Sequence, residues 1–474
     1  MLEKKKNKIV QLILVSAFAT LPSLMHSQEI QPEILSYTEY VGYVKKYHPQ
    51  VKQANLEISK AEAKLMTARG AFDPKIEVDF DKKEFKDKEY YSLLNSSFKI
   101  PTWYGIEVKA GFDNSEGIYV NPQNTLPNSG LTSLGVSVPI GQGLIINQRM
   151  ADIRTAKMLQ KLSVAERQLR AVDVVYEASV AYFDWLKAYN ESLLYKEYLE
   201  FAEKRYKGIT RLIELGDKPA IDSIEAGIVV KNRKLNVEQA GLKLIKAKLQ
   251  LSNYLWIEGV PVELEETIKP DADIKKTVQE ALNITELNGG IADIDNHPKV
   301  ISLQTKIDML NIERKLNANL LLPKVDLSYY YLSEPSYIDN FRFEDHKFAL
   351  NFSFPLFLRK ERGYLKLTKL KIQDAELDLN LERVKLKNKV IASQNEITNI
   401  EKQIELTDSL VQDYTKMLDS EERLFSFGES SIFLINTREN KLVSSRISLI
   451  DLENKYLDSY AQLFKVIAAT NIPE

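Results

Sequence analysis

Gly363–Phe427 constrains the fold more than any other stretch. Its pattern fits one continuous helix of about 65 residues, roughly 100 Å at 1.5 Å per residue. Leu370, Leu377, Val384 and Ile391 repeat every seven residues, and so do Ile372, Leu379 and Leu386. Two residues of helix turn through about 200°, so the two rows lie on nearly opposite sides. A helix lying on a globular core carries a single apolar stripe. Two rows separated by Asp374, Glu376, Lys385 and Lys387 ask for a packing neighbour on each side, as in the wall of a tube. A soluble coiled coil with one irregular face is the other arrangement that fits.

Charge and cysteine usage narrow the class. The formal net charge is −2 and no basic run follows the first ten residues, so nucleic acid is not an expected partner. The chain has no Cys, which excludes disulfides, zinc thiolates, thiol nucleophiles and a lipid-modified N-terminal Cys. Residues 1–27 have the build of a signal peptide. Lys4, Lys5, Lys6 and Lys8 precede the apolar run Ile9–Leu24, and Ser27 is a plausible cleavage position, although Met25 is large for its place. No later run has the length of a transmembrane helix. An exported chain of this kind enters a membrane only as a β-barrel.

The remainder reads as a duplication, residues 28–290 and 291–474. Leu35–Tyr47 is a short helical segment, after which His48-Pro49 opens a helix that ends before Pro74. Val278–Leu282 is another short segment, and His297-Pro298 opens a helix that ends before Pro323. Pro49 to Pro74 and Pro298 to Pro323 are both 25 positions. Such agreement marks an internal repeat, and proline suits a first helical position.

After each second proline the period changes from 3.6 to 2. Ile76, Val78 and Phe80 alternate with Glu77, Asp79 and Asp81, and Leu134, Val136 and Val138 alternate with Ser133, Gly135 and Ser137. In the second half Val325, Leu327, Tyr329 and Tyr331 form one such run, and Phe348, Leu350, Phe352 and Phe354 another. One apolar and one polar face suit a barrel with lipid outside and water inside; a soluble sheet on helices alternates too. Residues 324–355 leave room for one hairpin. Residues 74–139 leave room for two, the added strands being Leu94–Ile100 and Tyr104–Phe112. Asp113–Gly130 reads as a surface loop.

Each strand region leads into long helices, over about 147–257 in the first half and 363–469 in the second. The first long helix, about Asn147–Leu215, ends in Arg211-Leu212 before Gly216, and the second ends in Arg423-Leu424 before Gly428. Glycine after a helix is the common left-handed terminator. Pro219 and Ser431 then start returning helices that reach about Tyr254 and Ala469. In each half the returning helix and the proline-started helix, laid end to end, approach the length of the long helix. Each half therefore supplies one full column and one composite column.

This ordered, duplicated pattern resembles the TolC-like outer-membrane efflux channels over nearly the whole mature chain. The resemblance rests on the two His-Pro starts, on Val136-Ser137-Val138-Pro139 before a long helix, and on the Arg-Leu-x-x-x-Gly turns. It implies an α+β membrane protein working as a homotrimer. One outer-membrane β-barrel in lipid continues into a periplasmic α-helical tube. A periplasmic adaptor and an inner-membrane pump or ABC exporter then dock at the tube's tip. On this resemblance Arg211, Leu212, Gly216, Arg423, Leu424 and Gly428 are expected at the docking turns, where helix capping alone also accounts for them. Relatives narrow the aperture with acidic residues on the second returning helix. Six and nine residues after Gly428 stand Leu434 and Thr437 instead, so an acidic ring there is in doubt. Asp222, six after Gly216, keeps its charge and is expected either to form a ring or to pair with Arg438 of a neighbour; a solvated helix-start carboxylate is the plainer reading. The family usually has two strands per half, so the two-hairpin first half is a departure.

No catalytic or cofactor-binding pattern emerges. His48 and His297 both precede a proline at matched positions and read as helix starts, and no phosphate loop, nucleophile elbow or zinc-protease motif occurs. The expectation is a passive exit duct for efflux or type I secretion, with no enzyme activity, cofactor or metal. A periplasmic coiled-coil adaptor or an envelope structural protein is the alternative.

Overall fold

The computed structural model describes residues 34–265, 267–271, 274–282, 284, 294–339 and 342–468. The expected signal peptide lies outside them. Helix α1 (Tyr37–Tyr47) is capped by the Ser36 hydroxyl, which accepts from Glu39 N–H, and α2 (Pro49–Gly70) follows directly. Four strands come next: β1 (Lys75–Phe85), β2 (Lys88–Pro101), β3 (Glu107–Glu116) and β4 (Leu131–Pro139). They lead into α3 (Gln148–Glu214), α4 (Ile221–Ser252) and the short α5 (Lys275–Ala281). The second half holds α6 (Pro298–Asn319), β5 (Lys324–Ser333), β6 (His346–Ser353), α7 (Arg359–Ser426) and α8 (Ile432–Ile467).

Several boundaries differ from the sequence expectation. Helix α7 starts four residues before Gly363, directly after Leu358 in a left-handed conformation (φ 48°). Tyr104 falls outside β3, because Thr102 N–H donates to Ile106 O across a tight turn that holds it. Helix α4 begins at Ile221, two residues beyond Pro219, with no side-chain cap.

All six long strands form one antiparallel sheet in the order β6-β5-β4-β3-β2-β1. The additional hairpin of the first half is thus a continuation of the sheet. Lys86 and Asp87 both have positive φ (55° and 56°), as a two-residue type I′ turn between β1 and β2 requires. The register segregates chemistry by face. Ile76, Phe98, Ala110, Leu134, Tyr331 and His346 form one cross-strand row. Val108, Val136, Tyr329 and Phe348 form another on the same face. The opposite face carries Glu77, Ser97, Gly111 and Ser133 in one row, and Asp326 opposite Asn351 in another.

The helices form four columns side by side. Helix α3 packs against α4 and α2 on one flank and against α8 and α6 on the other, whereas α7 packs mainly against α8 and α6. The joints of the composite columns lie at the two His-Pro sites. His297 Nε2 lies 3.1 Å from Val466 O near the end of α8, while its Nδ1 accepts from Lys299 N–H at the start of α6. That pairing makes Nε2 the protonated nitrogen. His48 stacks on Tyr254 just beyond the end of α4, with ring centroids 5.5 Å apart. Burial lowers the pKa of both imidazoles, so each is a neutral splice between stacked helices.

The largest core sits near these joints. Tyr37, Tyr40, Tyr182, Phe183 and Trp185 are fully buried there. The Tyr182 hydroxyl donates to Leu35 O at 2.7 Å and accepts from Asp271 N–H at 3.1 Å. It thereby ties a parallel bridge, Ile34–Leu35 on Lys269–Pro270, to α3. In the same region burial and the nearby Asp184 carboxylate push the Asp458 pKa up to about 7. A carboxyl raised in the folded chain keeps a proton that the unfolded chain has released. Its stabilisation is full below the unfolded pKa and is lost as pH rises through about 7. Asp458 by itself is therefore expected to contribute about 1–3 kcal/mol less stability at pH 8 than at pH 5, after discounting for partial exposure, against an opposite trend from His48 and His297. Asp458→Asn should remove that contribution from the pH dependence of thermal unfolding; an unchanged dependence would refute the assignment.

Candidate functional site

The far end of the helical columns carries two nearly identical turns. In the first, Gly216 N–H donates to Ile213 O at 3.0 Å and Asp217 N–H to Leu212 O at 2.9 Å. In the second, Gly428 N–H donates to Phe425 O at 3.0 Å and Glu429 N–H to Leu424 O at 2.9 Å. Both pairs are complete Schellman closures, with φ of 83° at Gly216 and 79° at Gly428. A Cβ would meet nothing within 4 Å at either position, so the requirement is backbone conformation alone. Gly216→Ala and Gly428→Ala are each expected to cost about 1–2 kcal/mol. A thermal midpoint equal to that of the parent chain would contradict this.

The two turns touch. Lys218 Nζ sits 4.6 Å from the centre of the Phe425 ring, and Ile209, Ile213, Ala226, Phe425 and Ile432 form a small cluster behind it. Arg211 pairs with Glu214 at 3.1 Å, while Arg423 is exposed and makes no ion pair among the described residues. Leu212 and Leu424 enter through their carbonyls. Of the aperture candidates, Leu434 N–H is capped by Ser431 and Thr437 donates to Phe433 O. Within the chain, Arg438 Nε lies 3.5 Å from Glu421. Asp222 is half-buried in the first turn of α4 without an ion pair among the described residues.

About 16 Å from the turns, eleven residues of helix away, lies a cluster that the sequence reading missed. Glu439 of α8 is 1 % exposed, with Arg205 of α3 at 2.6 Å and Arg233 of α4 at 3.0 Å. Arg205 also reaches Glu422 of α7 at 3.2 Å, and Arg233 donates to Asn440 Oδ1 at 2.7 Å. The Arg233 and Arg446 guanidiniums lie 5.8 and 5.6 Å from the Tyr198 ring centre. Two cations and two carboxylates from four helices thus neutralise one another, with Glu439 and Arg233 buried and Glu422 at the exposed rim. Isolated charges at such depth cost several kcal/mol each, so the set holds only when complete. A signal was present in the sequence. Glu439 follows Ile432 and Ile435 and precedes Leu442 on one helical stripe, and Arg233 stands seven residues from both Ala226 and Ala240. Each charge occupies a seam position.

The other edge of the wall is incomplete. On α7 the row Ile372, Leu379 and Leu386 is buried at 5–6 %, while Leu370, Leu377 and Val384 remain 52–70 % exposed. On α4, Ile221, Ile228, Leu235, Leu242 and Leu249 are all more than half exposed, and they repeat every seven residues. Helices α7 and α4 are the two outer columns of the chain. Their apolar rows therefore face away from it on opposite edges, with the spacing that a left-handed coiled coil uses.

Among the described residues no helix is long and apolar enough to cross a membrane, and no group of three or more His, Asp or Glu is placed to hold a metal ion.

Residues 294–469 match the family model for outer membrane efflux protein. No curated protein sequence matches the chain. Among solved structures, the fold is similar to the Campylobacter jejuni CmeC outer membrane channel, with TM-score 0.63, 14 % identity, and coverage of 91 % of this chain and 85 % of that one. It is also similar to the outer membrane protein VceC of Vibrio cholerae, with TM-score 0.64, 12 % identity and coverage of 91 % and 95 %. The open state of the Neisseria gonorrhoeae MtrE outer membrane channel gives TM-score 0.63, 12 % identity and coverage of 91 % and 88 %.

Proposed function

We propose that this chain, whose residues 294–469 match the family model for outer membrane efflux protein, is an exit duct across the outer membrane. Three copies assemble around one axis. Their sheets form a barrel in the lipid, and their helical columns form a tube that reaches into the periplasm. The observation that carries this reading is the pair of unpartnered apolar rows. A second copy placed edge to edge sets α7 of one protomer against the α4 and α2 columns of the next, and a ring of such contacts leaves no row exposed. The sheet supports the same assembly, since its apolar face suits lipid and its polar face suits water.

The turns at Gly216 and Gly428 form the periplasmic tip, where Arg211, Arg423 and the backbone around Leu212 and Leu424 meet an adaptor. The Glu439 cluster fastens the α3–α4 hairpin to the α7–α8 hairpin just above that tip. An adaptor opens the duct by binding the arrangement in which the two hairpins part better than the one in which they are joined. Asp222 lines the aperture, and the inner-membrane pump supplies energy and cargo selection.

Fractionation and mass photometry of the mature chain test this. A heat-labile trimer of the 54.3 kDa chain, less its leader, in the outer-membrane fraction is the expected result. A soluble monomer or dimer would overturn the duct and favour an envelope coiled-coil protein.

A further inference from the structure

We propose that the barrel is built of eighteen strands, six from each of three copies, and that it closes through pairing of β6 with the next copy's β1 in one defined register. The inference rests on the trimer proposed above and adds to it the strand number and the seam.

The six-stranded sheet already carries the stagger of a closing barrel. A row across the sheet from Lys75, the helix-side end of β1, passes through Lys99, Lys109, Gly135, Tyr330 and Lys347. The helix-side ends of the strands fall steadily below that row. Pro101 and Glu107 lie two residues below it, Pro139 four, and Lys324 and Ser353 six. Six residues are about 20 Å of strand, and five strand spacings are about 24 Å, so strands ending at a common height tilt by about 40°. Barrels have tilts of about 35–45°. Strands β1 and β2 continue this staircase without a break, which a hairpin folded aside would not do. The sheet ends on β1 and β6, whose outer edges have no partner among the described residues. Six strands are too few to close alone, since membrane barrels begin at about eight. The β1 strand runs away from the helices and β6 runs toward them, so β6 of one copy meets β1 of the next antiparallel.

The seam follows from chemistry. Only even offsets keep polar residues opposite polar ones. Continuing the row at the six-residue level places Lys347 opposite Asp81 of the next copy. It also places Phe348 opposite Phe80, Leu350 opposite Val78, and Phe352 opposite Ile76. Three of the four lipid-side pairs are then apolar, the fourth being His346 opposite Lys82 at the strand end far from the helices, and the Lys347–Asp81 pair has opposite signs. An eight-residue offset sets Lys347 against Lys83 and Phe348 against Lys82, which cross-strand pairing disfavours. A four-residue offset reverses the staircase. These apolar edge residues are exposed in the single chain, and the next copy's strand is the occupant that the register, the charge and the tilt all fit. Barrel diameter grows roughly with strand number, so eighteen strands give a lumen about one and a half times as wide as twelve.

Electron cryomicroscopy of the detergent-extracted full-length trimer counts the strands directly. Eighteen supports the proposal. Twelve, with β1 and β2 outside the wall, overturns it while leaving the duct intact, and absence of a trimer overturns the duct itself. Because the chain lacks Cys, engineered thiols report the seam. Val78→Cys with Leu350→Cys is expected to give covalent dimers and trimers on oxidation, reversed by reductant. A ladder from Ala110→Cys with Leu350→Cys instead, or from neither pair in assembled trimers, contradicts the seam.

Discussion

Glu439→Ala is expected to weaken the joined state of the two hairpins by about 3–5 kcal/mol, because it strands two guanidiniums in a site built for ion pairs. Arg205 retains Glu422, but Arg233 is left with Asn440 and the face of Tyr198. The loss falls on the contact between hairpins rather than on either hairpin, since Arg205 and Arg233 belong to one and Glu439 to the other. Every 1.4 kcal/mol is tenfold in an equilibrium, so the parted tip gains about 100-fold or more in population. Single-channel recordings without an adaptor are expected to show a large rise in open time. A control separates charge from packing. Arg205→Met, Arg233→Met and Glu439→Leu combined removes the buried charges together and leaves only the exposed Glu422, and such apolar replacements are often neutral in stability. It is expected to restore the unfolding midpoint lost in Glu439→Ala. If Glu439→Ala leaves both midpoint and open time unchanged, the cluster does not fasten the tip.

The second large effect concerns residues that look expendable in a single protomer. Leu235 and Leu242 are 56 % and 55 % exposed on α4. On an isolated chain, Leu235→Asp with Leu242→Asp should change stability by no more than about 0.5 kcal/mol per site. In the proposed ring, both positions lie in the seam between copies. Each protomer then buries two unpaired carboxylates, at several kcal/mol apiece, and the threefold repetition multiplies the penalty. The expected result is loss of the trimer with the secondary structure of the monomer retained, read by mass photometry and circular dichroism. Trimers that persist in the variant would place the seam elsewhere.

Much of this protein was legible in its residues because local patterns answer to local physics. Seven-residue rows on Gly363–Phe427, period-two runs between prolines, His-Pro starts and the glycines after Leu215 and Phe427 each express a backbone preference that needs no distant partner. They determined the element types, the composite columns, the duplicate turns and the face of each strand. What the residues left open depended on which elements meet. Two apolar rows on α7 asked for two neighbours, but only packing showed that one lies within the chain and that the other row is left exposed. The added strands of the first half were readable as strands, but their place was decided by the hydrogen bonds that join Lys88–Pro101 and Glu107–Glu116 to their neighbours in one sheet. Arg205, Arg233 and Glu439 stood in their seams as three unexplained charges on helices up to 234 residues apart in the chain. Only the tertiary structure shows them as one site, because a buried charge is stable through its partners, and partners are a property of the fold.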